Sequence, residues 1–340
     1  MRKTLRDVAR QAGVSEATVS RILKGTTRLY SDATVARVQA AARELNYVPN
    51  ILARSLVRRR THLIALASER RVDFRRDSYF FEVFSGIHEA ARDRGYNVTI
   101  LTALESGGAD LLRQVQSGLF DGVILIAPAL YSPVLEWAGS IGYPVVSAGS
   151  TLPDRGLTCV DVDNIAAAQQ AAEYLLQKGH RKIGFVGGQP THLAAFLRHA
   201  GYERALNEAG VEPLPWLWNT GDNVGQASGK RAMNRLRAAH PEATAVFCVN
   251  DETAVGALES LMEQGVSVPD EVSVMGFDDA ETARWVRPAL TTVRQEIMQV
   301  GQIAAERLIT RIETEDFEPE TVLLPGKLVE RDSVRSLPTI

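Results

Sequence analysis

The chain opens with apolar residues at helical spacing and later changes to short apolar runs divided by amphipathic stretches. Leu5, Val8, Ala9 and Ala12 fall at i, i+3, i+4 and i+7, which predicts a helix of about two turns with one buried stripe. Gly13 ends it, because glycine enters the left-handed conformation without a Cβ penalty. Val14 turns inward, and Ser15 is placed to cap a second helix whose buried side is Val19, Ile22 and Leu23. Glu16, Ala17, Ser20 and Arg21 then face outward. Ser31 caps a third helix, in which Val35, Val38, Ala42 and Leu45 recur at the same period. A helix, a glycine corner and a short second helix with a polar outer face form a helix-turn-helix pattern, which lays its second helix in a DNA major groove. An ordinary helical hairpin is the plainer reading of the same spacing.

From His62 the rhythm changes. Residues 63–67, 96–101, 122–127 and 145–148 are short apolar β-rich runs, separated by helical stretches near 81–94, 110–117 and 133–141. A second set of strands follows at 183–186, 245–249 and 272–275, with helices near 165–177, 193–209, 228–237 and 252–263. Repeated strand-helix units build parallel sheets covered on both faces. The expected fold is a small all-α helix-turn-helix head followed by an α/β core of two doubly wound parallel-sheet lobes.

Such sheets place ligands beyond the carboxyl ends of their strands, so two facing lobes would enclose a ligand between them. The polar residues at those ends are Ser68, Asp161, Asp163, Asn250, Asp251, Asp278 and Asp279. Carboxylates and amides converging there suit the hydroxyls of a sugar, since each accepts or donates in a fixed direction. Asp163 and Asn250 also stand where a helix needs an N-cap, which is the duller explanation for both.

A length of 340 residues implies two or three domains, and 45% hydrophobic with 23% charged residues excludes wholesale disorder. No apolar stretch approaches the roughly 18 residues of a membrane span, and Met1 opens into a charged helix rather than an apolar segment. The expectation is a cytoplasmic, nucleoid-associated protein with no membrane partner. Cys159 and Cys248 lie far apart in apolar runs, so neither a disulfide framework nor a metal cluster is expected, and no cofactor is called for. Charge changes the picture most. Residues 1–60 hold 13 basic and 4 acidic side chains, whereas the rest of the chain holds 25 and 37. A basic head on an acidic body suggests that one end meets a polyanion while the other repels it.

The ordered run Thr4-Leu5-Arg6-Asp7-Val8-Ala9, Ala12-Gly13-Val14-Ser15, Thr18-Val19-Ser20-Arg21 and Leu45-Asn46-Tyr47-Val48-Pro49-Asn50 resembles the DNA-binding head of the LacI/GalR family of bacterial repressors. The resemblance implies a homodimer on double-stranded operator DNA, with contacts from Thr4, Ser15, Glu16, Ala17, Thr18, Ser20 and Arg21. Glu16 and Ala17 take the positions that vary with operator sequence, and Arg21 meets a guanine edge or a phosphate. It further implies a hinge helix carrying Asn50, Ala53, Arg54 and Leu56, with Leu56 wedged between base steps in the minor groove. By itself that segment is too short to be a stable helix in water. Many relatives have a lysine after the leucine, where this chain has Val57.

Further motifs extend the resemblance over essentially the whole chain: Gly179-His180-Arg181-Lys182-Ile183-Gly184, Gly276-Phe277-Asp278-Asp279, Pro288-Ala289-Leu290-Thr291-Thr292-Val293 and Glu330-Arg331-Asp332-Ser333. They look like a type I periplasmic-binding-protein-like sensor domain. The implied boundaries are a head at 1–47, hinge and linker at 48–61, and an effector and dimerisation domain at 62–340. Its first lobe is about 62–160 and 291–320, its second about 161–290 and 321–340. The resemblance implicates Tyr79 and Phe80, with Ser68, from the first lobe. From the second it implicates Asp163, His192, Arg198, Asn250 and Asp278. Asn223 stands where an aromatic often stacks on the ligand. Four arginines between Ser68 and Tyr79, at Arg70, Arg71, Arg75 and Arg76, suit an anionic effector such as a sugar acid; a solvated loop is the common fate of such a run.

Dinucleotide and phosphate-loop glycine motifs, a nucleophile elbow and a paired-histidine metal motif are all missing, so an enzyme is disfavoured. A solute-binding protein on the same lobes is disfavoured by the missing export segment. The sequence therefore points to an effector-controlled transcriptional repressor, with a sugar or sugar derivative as effector and carbohydrate metabolism as its field. A purine or nucleoside sensor is the alternative. No leucine heptads follow Val334, so the tetramerising tail of some relatives is not expected, and a dimer is.

Overall fold

The structure, a computed structural model, describes residues 3–48, 60–69, 78–103, 109–128, 131–152, 156–190, 192–218, 225–314 and 318–338. These form two compact units, one within 1–61 and one within 62–340.

The head contains α1 (Leu5–Ala12), α2 (Glu16–Leu23) and α3 (Asp32–Glu44). A capping box starts α1: the Thr4 hydroxyl oxygen accepts from the Asp7 N–H, and Asp7 Oδ2 accepts from the Thr4 N–H at 3.0 Å. Gly13, at φ 65°, makes the corner. Ser15 caps α2 through the Thr18 N–H at 3.1 Å, and Ser31 caps α3 through the Thr34 N–H at 3.3 Å. Val8, Ala9, Ala12, Val19, Ile22, Val38 and Ala41 close the core, with Leu5, Leu23, Val35, Ala42 and Leu45 at its rim. The spacing predicted this stripe except on α3, where Ala41 rather than Ala42 is the fully buried alanine.

In chain order the body contains β1 (Leu63–Ser68), α4 (Ser78–Asp93), β2 (Asn97–Thr102), α5 (Ala109–Val115), β3 (Gly122–Ile126), α6 (Pro133–Ile141), β4 (Val145–Ala148) and β5 (Thr158–Val162). Next come α7 (Asn164–Gln177), β6 (Ile183–Val186), α8 (Leu193–Glu208), α9 (Gln226–Ala239), β7 (Ala245–Cys248), α10 (Asp251–Glu263), β8 (Ser273–Met275) and α11 (Thr282–Trp285). Last are β9 (Thr292–Arg294), α12 (Ile297–Glu313), β10 (Thr321–Leu324) and β11 (Lys327–Val329). The first sheet runs β10-β5-β4-β3-β1-β2 and is parallel throughout. The second runs β6-β7-β8, also parallel. An antiparallel β9-β11 pair joins it through bridges at Met275–Thr291 and Asp278–Arg294.

The lobe boundaries differ from those expected. β5 pairs with β4 in the first sheet, so the chain leaves that sheet after Val162 rather than at 160. β9, expected in the first lobe, lies beside β8 of the second, while β10, expected in the second, pairs with β5 in the first. The chain thus passes between sheets near 163, 295 and 325. The strand signals were weak because β5 carries Asp161 next to its end and β10 is a half-exposed edge strand.

In the first lobe α4 packs closely against α12. Phe80, Val83 and Ile87 of α4 meet Ile297, Val300, Ala304 and Leu308 of α12 in one buried cluster. Each such large side chain contributes roughly 1.5–3 kcal/mol over exposure. Two glycines allow the backbones to touch: a Cβ on Gly86 would stand 2.0 Å from the Met298 carbonyl oxygen, and one on Gly301 would stand 2.2 Å from that of Val83.

Candidate functional site

Two surfaces gather the residues singled out in the sequence. On the head, the cap geometry turns Glu16, Ala17 and Arg21 fully outward on α2, with Thr18 and Ser20 half-exposed beside them and Thr4 and Ser15 exposed at the helix starts. The Thr4 N–H and hydroxyl, with the Arg10 guanidinium, hold the Asp7 carboxyl down to about 2. Asn50, Ala53, Arg54 and Leu56 lie outside the described residues, as do Arg70 to Arg76 and Asn223.

In the body the carboxyl ends of the strands converge. Ser68 ends β1 and is buried. Tyr79, in the first turn of α4, lays its hydroxyl against Gly149 at the end of β4, where a Cβ would lie 1.9 Å from it. Phe80 points elsewhere: it is fully buried among Ile64, Leu66 and Val83, a core position of the first lobe. Asp163 accepts from the Ala166 N–H at 2.9 Å and so caps α7, and Asn250 accepts from the Thr253 N–H at 2.9 Å and caps α10. His192 takes the N-cap position of α8 without a side-chain cap bond and is exposed.

Arg198 is the hub. Its Nε donates to Asn164 Oδ1 at 2.8 Å, and its Nη1 donates to the Val249 carbonyl at 2.8 Å and to Asp278 Oδ1 at 3.4 Å. The guanidinium carbon stands 3.8 Å above the Phe277 ring, a cation–π contact. Asn164 Nδ2 in turn donates to Asp161 Oδ2 at 3.1 Å, and Gln295 Nε2 donates to Asp278 Oδ1 at 2.5 Å. One hydrogen-bonded chain therefore runs from β5 of the first sheet, through α7 and α8 of the second lobe, to the crossover at Gln295. Asn164 and Gln295 went unnoticed in the sequence, the first because it resembles a helix start, and Phe277 entered only as part of the Gly276–Asp279 motif because it resembles a core aromatic.

Backbone strain sits at the same place. Asp278 has φ 125° and Asp279 φ 57°, conformations that cost roughly 1–3 kcal/mol each away from glycine and persist only when surroundings impose them. Asp279 is held by Arg331, by Arg294 at 2.7 Å and by Arg284 at 3.5 Å. Burial pushes its carboxyl up, but Arg331 and Arg294 outweigh that and keep it below the ordinary range. Asp161 and Asp251 go the other way. Burial lifts Asp161 to about 6 against the Val162 N–H and Arg198, and burial with the Asp278 carboxylate lifts Asp251 to about 7. Glu82 of α4 is raised by burial and by the charges of Asp278 and Asp279, so first-lobe and second-lobe carboxylates share one field.

A helix-turn-helix head and a two-lobed α/β core with a linked set of polar side chains at its strand ends form the architecture of a DNA-binding regulator with a binding-protein-like sensor. Comparison with known proteins agrees. Residues 4–50 match "Bacterial regulatory proteins, lacI family", and residues 172–334 match "Periplasmic binding protein-like domain". The transcriptional regulator CelR of Thermobifida fusca is 34% identical over 98% of each chain. The repressor PurR of Yersinia pestis (strain Pestoides F) is 34% identical, again over 98% of each, and the probable repressor ExuR of Bacillus subtilis 30% over 99% of each. Among solved structures, the CelR–cellobiose complex superposes with TM-score 0.75 at 31% identity, covering 98% of this chain and 100% of that one. The lac repressor dimer bound to operator and an anti-inducer gives 0.87 at 25%, with the same coverage. The chain belongs to the LacI family of bacterial transcriptional regulators. Among the described residues no helix is long and apolar enough to cross a membrane.

Proposed function

We propose that this chain is a cytoplasmic repressor that binds operator DNA as a homodimer and is controlled by a sugar or sugar derivative held between its lobes. It binds and regulates, and catalyses nothing. In this reading Glu16, Ala17 and Arg21 read base edges in the major groove, while Thr4, Ser15, Thr18 and Ser20 hold the backbone. Asn50, Ala53, Arg54 and Leu56 act in the minor groove between the two heads. An Arg–guanine pair is worth about 1–3 kcal/mol of discrimination.

The chain of bonds from Asp161 through Asn164 and Arg198 to Asp278 and Gln295 carries the reading. It joins both lobes, and it ends on a carboxylate and on the Nη2 donors of Arg198, from which no described residue accepts. A ligand hydroxyl between them accepts from Arg198 and donates to Asp278. Ser68, Tyr79, Asp163, His192 and Asn250 supply further contacts in this reading, whereas Phe80 supports the site from the core; Asn223, outside the described residues, is a further candidate contact. Ligand binding shifts the operator equilibrium only by its difference in affinity for the two lobe arrangements.

A thermal-shift screen of neutral sugars, sugar acids, sugar phosphates and nucleobases tests this, because a ligand of the native state raises its melting temperature. A sugar hit supports the reading. A nucleobase hit favours the second reading, a purine-responsive repressor, which the identity to PurR supports.

A further inference from the structure

We infer that Asp251 is a positioning residue for effector recognition: it grips the 277–280 turn from both sides and thereby aims Asp278 at Arg198. The inference rests on the reading of Asp278 as an effector contact.

Asp251 opens α10 and is wholly buried, so it does not itself face a ligand. Its Oδ2 accepts from the Ala280 N–H at 2.8 Å, and its own N–H donates to the Phe277 carbonyl at 2.8 Å. One residue thus holds the backbone immediately before and immediately after the Asp278-Asp279 pair. Both aspartates have positive φ, which only an over-determined turn sustains. Capping of α10 does not explain the carboxylate, because Asn250 already occupies that position.

The other oxygen reaches the crossover. Asp251 Oδ1 accepts from the Thr292 hydroxyl at 2.6 Å, and Thr292 begins the strand that leads to Gln295, the second partner of Asp278. The carboxylate therefore fixes Asp278 and the segment that carries its neighbour. Room for it is built in: a Cβ on Gly276 would lie 2.1 Å from Asp251 Oδ1.

Crystal structures and amide exchange of the full chain with Asp251→Asn and Asp251→Ala test this. The asparagine keeps both bonds, its amide oxygen accepting from Ala280 and its amide nitrogen donating to Thr292. It should preserve positive φ at Asp278 and the Arg198 contact. The alanine removes both; Asp278 should relax to negative φ, leave Arg198, and let the Ala280 amide exchange about tenfold faster or more. If the alanine variant fails to fold, Thr292→Val takes one donor from the clamp, and faster exchange confined to 277–280 and 292–295 is the expected result. An unchanged Asp278 geometry in Asp251→Ala, or unchanged exchange in Thr292→Val, overturns the inference. Failure of the effector reading shows separately, as a native chain whose melting temperature no screened small molecule moves.

Discussion

Nη1 of Arg198 lies 3.4 Å from Oδ1 of Asp278, although the two residues are 80 positions apart in the chain. Arg198 is oriented by Asn164, Val249 and the Phe277 face, Asp278 by a strained turn and Gln295. A charged pair held this well from both sides has the fixed geometry that reading a ligand requires.

Arg198→Ala and Asp278→Ala should each weaken effector binding roughly 10- to 150-fold, the range of a lost hydrogen bond to a charged group, while operator affinity stays within a factor of about two. Calorimetric titration of the effector beside fluorescence anisotropy on operator DNA checks both. Unchanged effector affinity would remove these residues from the site.

Ser15→Ala should destabilise the head by about 1 kcal/mol, since Ser15 Oγ accepts from the Thr18 N–H. The expected signs are faster exchange of the Thr18 amide and weaker operator binding with effector affinity intact.

Gly86→Ala should lower the stability of the body by about 1–3 kcal/mol or more, because the added methyl meets the Met298 carbonyl on a neighbouring helix rather than a movable side chain. Denaturant titration reads the loss. A neutral result would mean that α4 and α12 slide easily.

Asp161 supplies a pH signature. Its carboxyl titrates near 6 when folded and near the ordinary 3.9 when unfolded, so between those values the folded state holds a proton that the unfolded state has released. Its contribution is greatest at low pH and is lost as pH rises through about 6. Asp161→Asn should cut the stability gained on going from pH 8 to pH 5 by roughly 1 kcal/mol, measured by chemical denaturation at both values.

Much of this was legible beforehand. The head's core follows directly from the spacing of Leu5, Val8, Ala9 and Ala12, and the apolar strands of both sheets stand out as short uncharged runs. Less visible were elements whose burial is partial or whose signal is mixed. α12 was passed over although Ile297, Val300, Ala304 and Leu308 keep helical spacing, and β10 and β11 are too short and half-exposed to register. At the cleft the charged residues were found because they interrupt apolar strand ends. Their supports Asn164 and Gln295 were not, since an uncharged amide at a helix start or in a crossover gives no pattern, and Asp251 stood out only as a strand-end acid with nothing to mark its grip on the 277–280 turn. The depth of Phe80 was not legible either: in the first turn of α4, beside the half-buried Tyr79, it lies fully buried in the first-lobe cluster.

Ligand binding in the body should change how tightly the head binds DNA. Operator affinity of the full chain, measured by anisotropy with and without the compound that raises its melting temperature, tests it most directly. Kd should change by about fivefold or more, in either direction, and the change should disappear in Arg198→Ala. An operator Kd that stays the same while the compound saturates the body would contradict it.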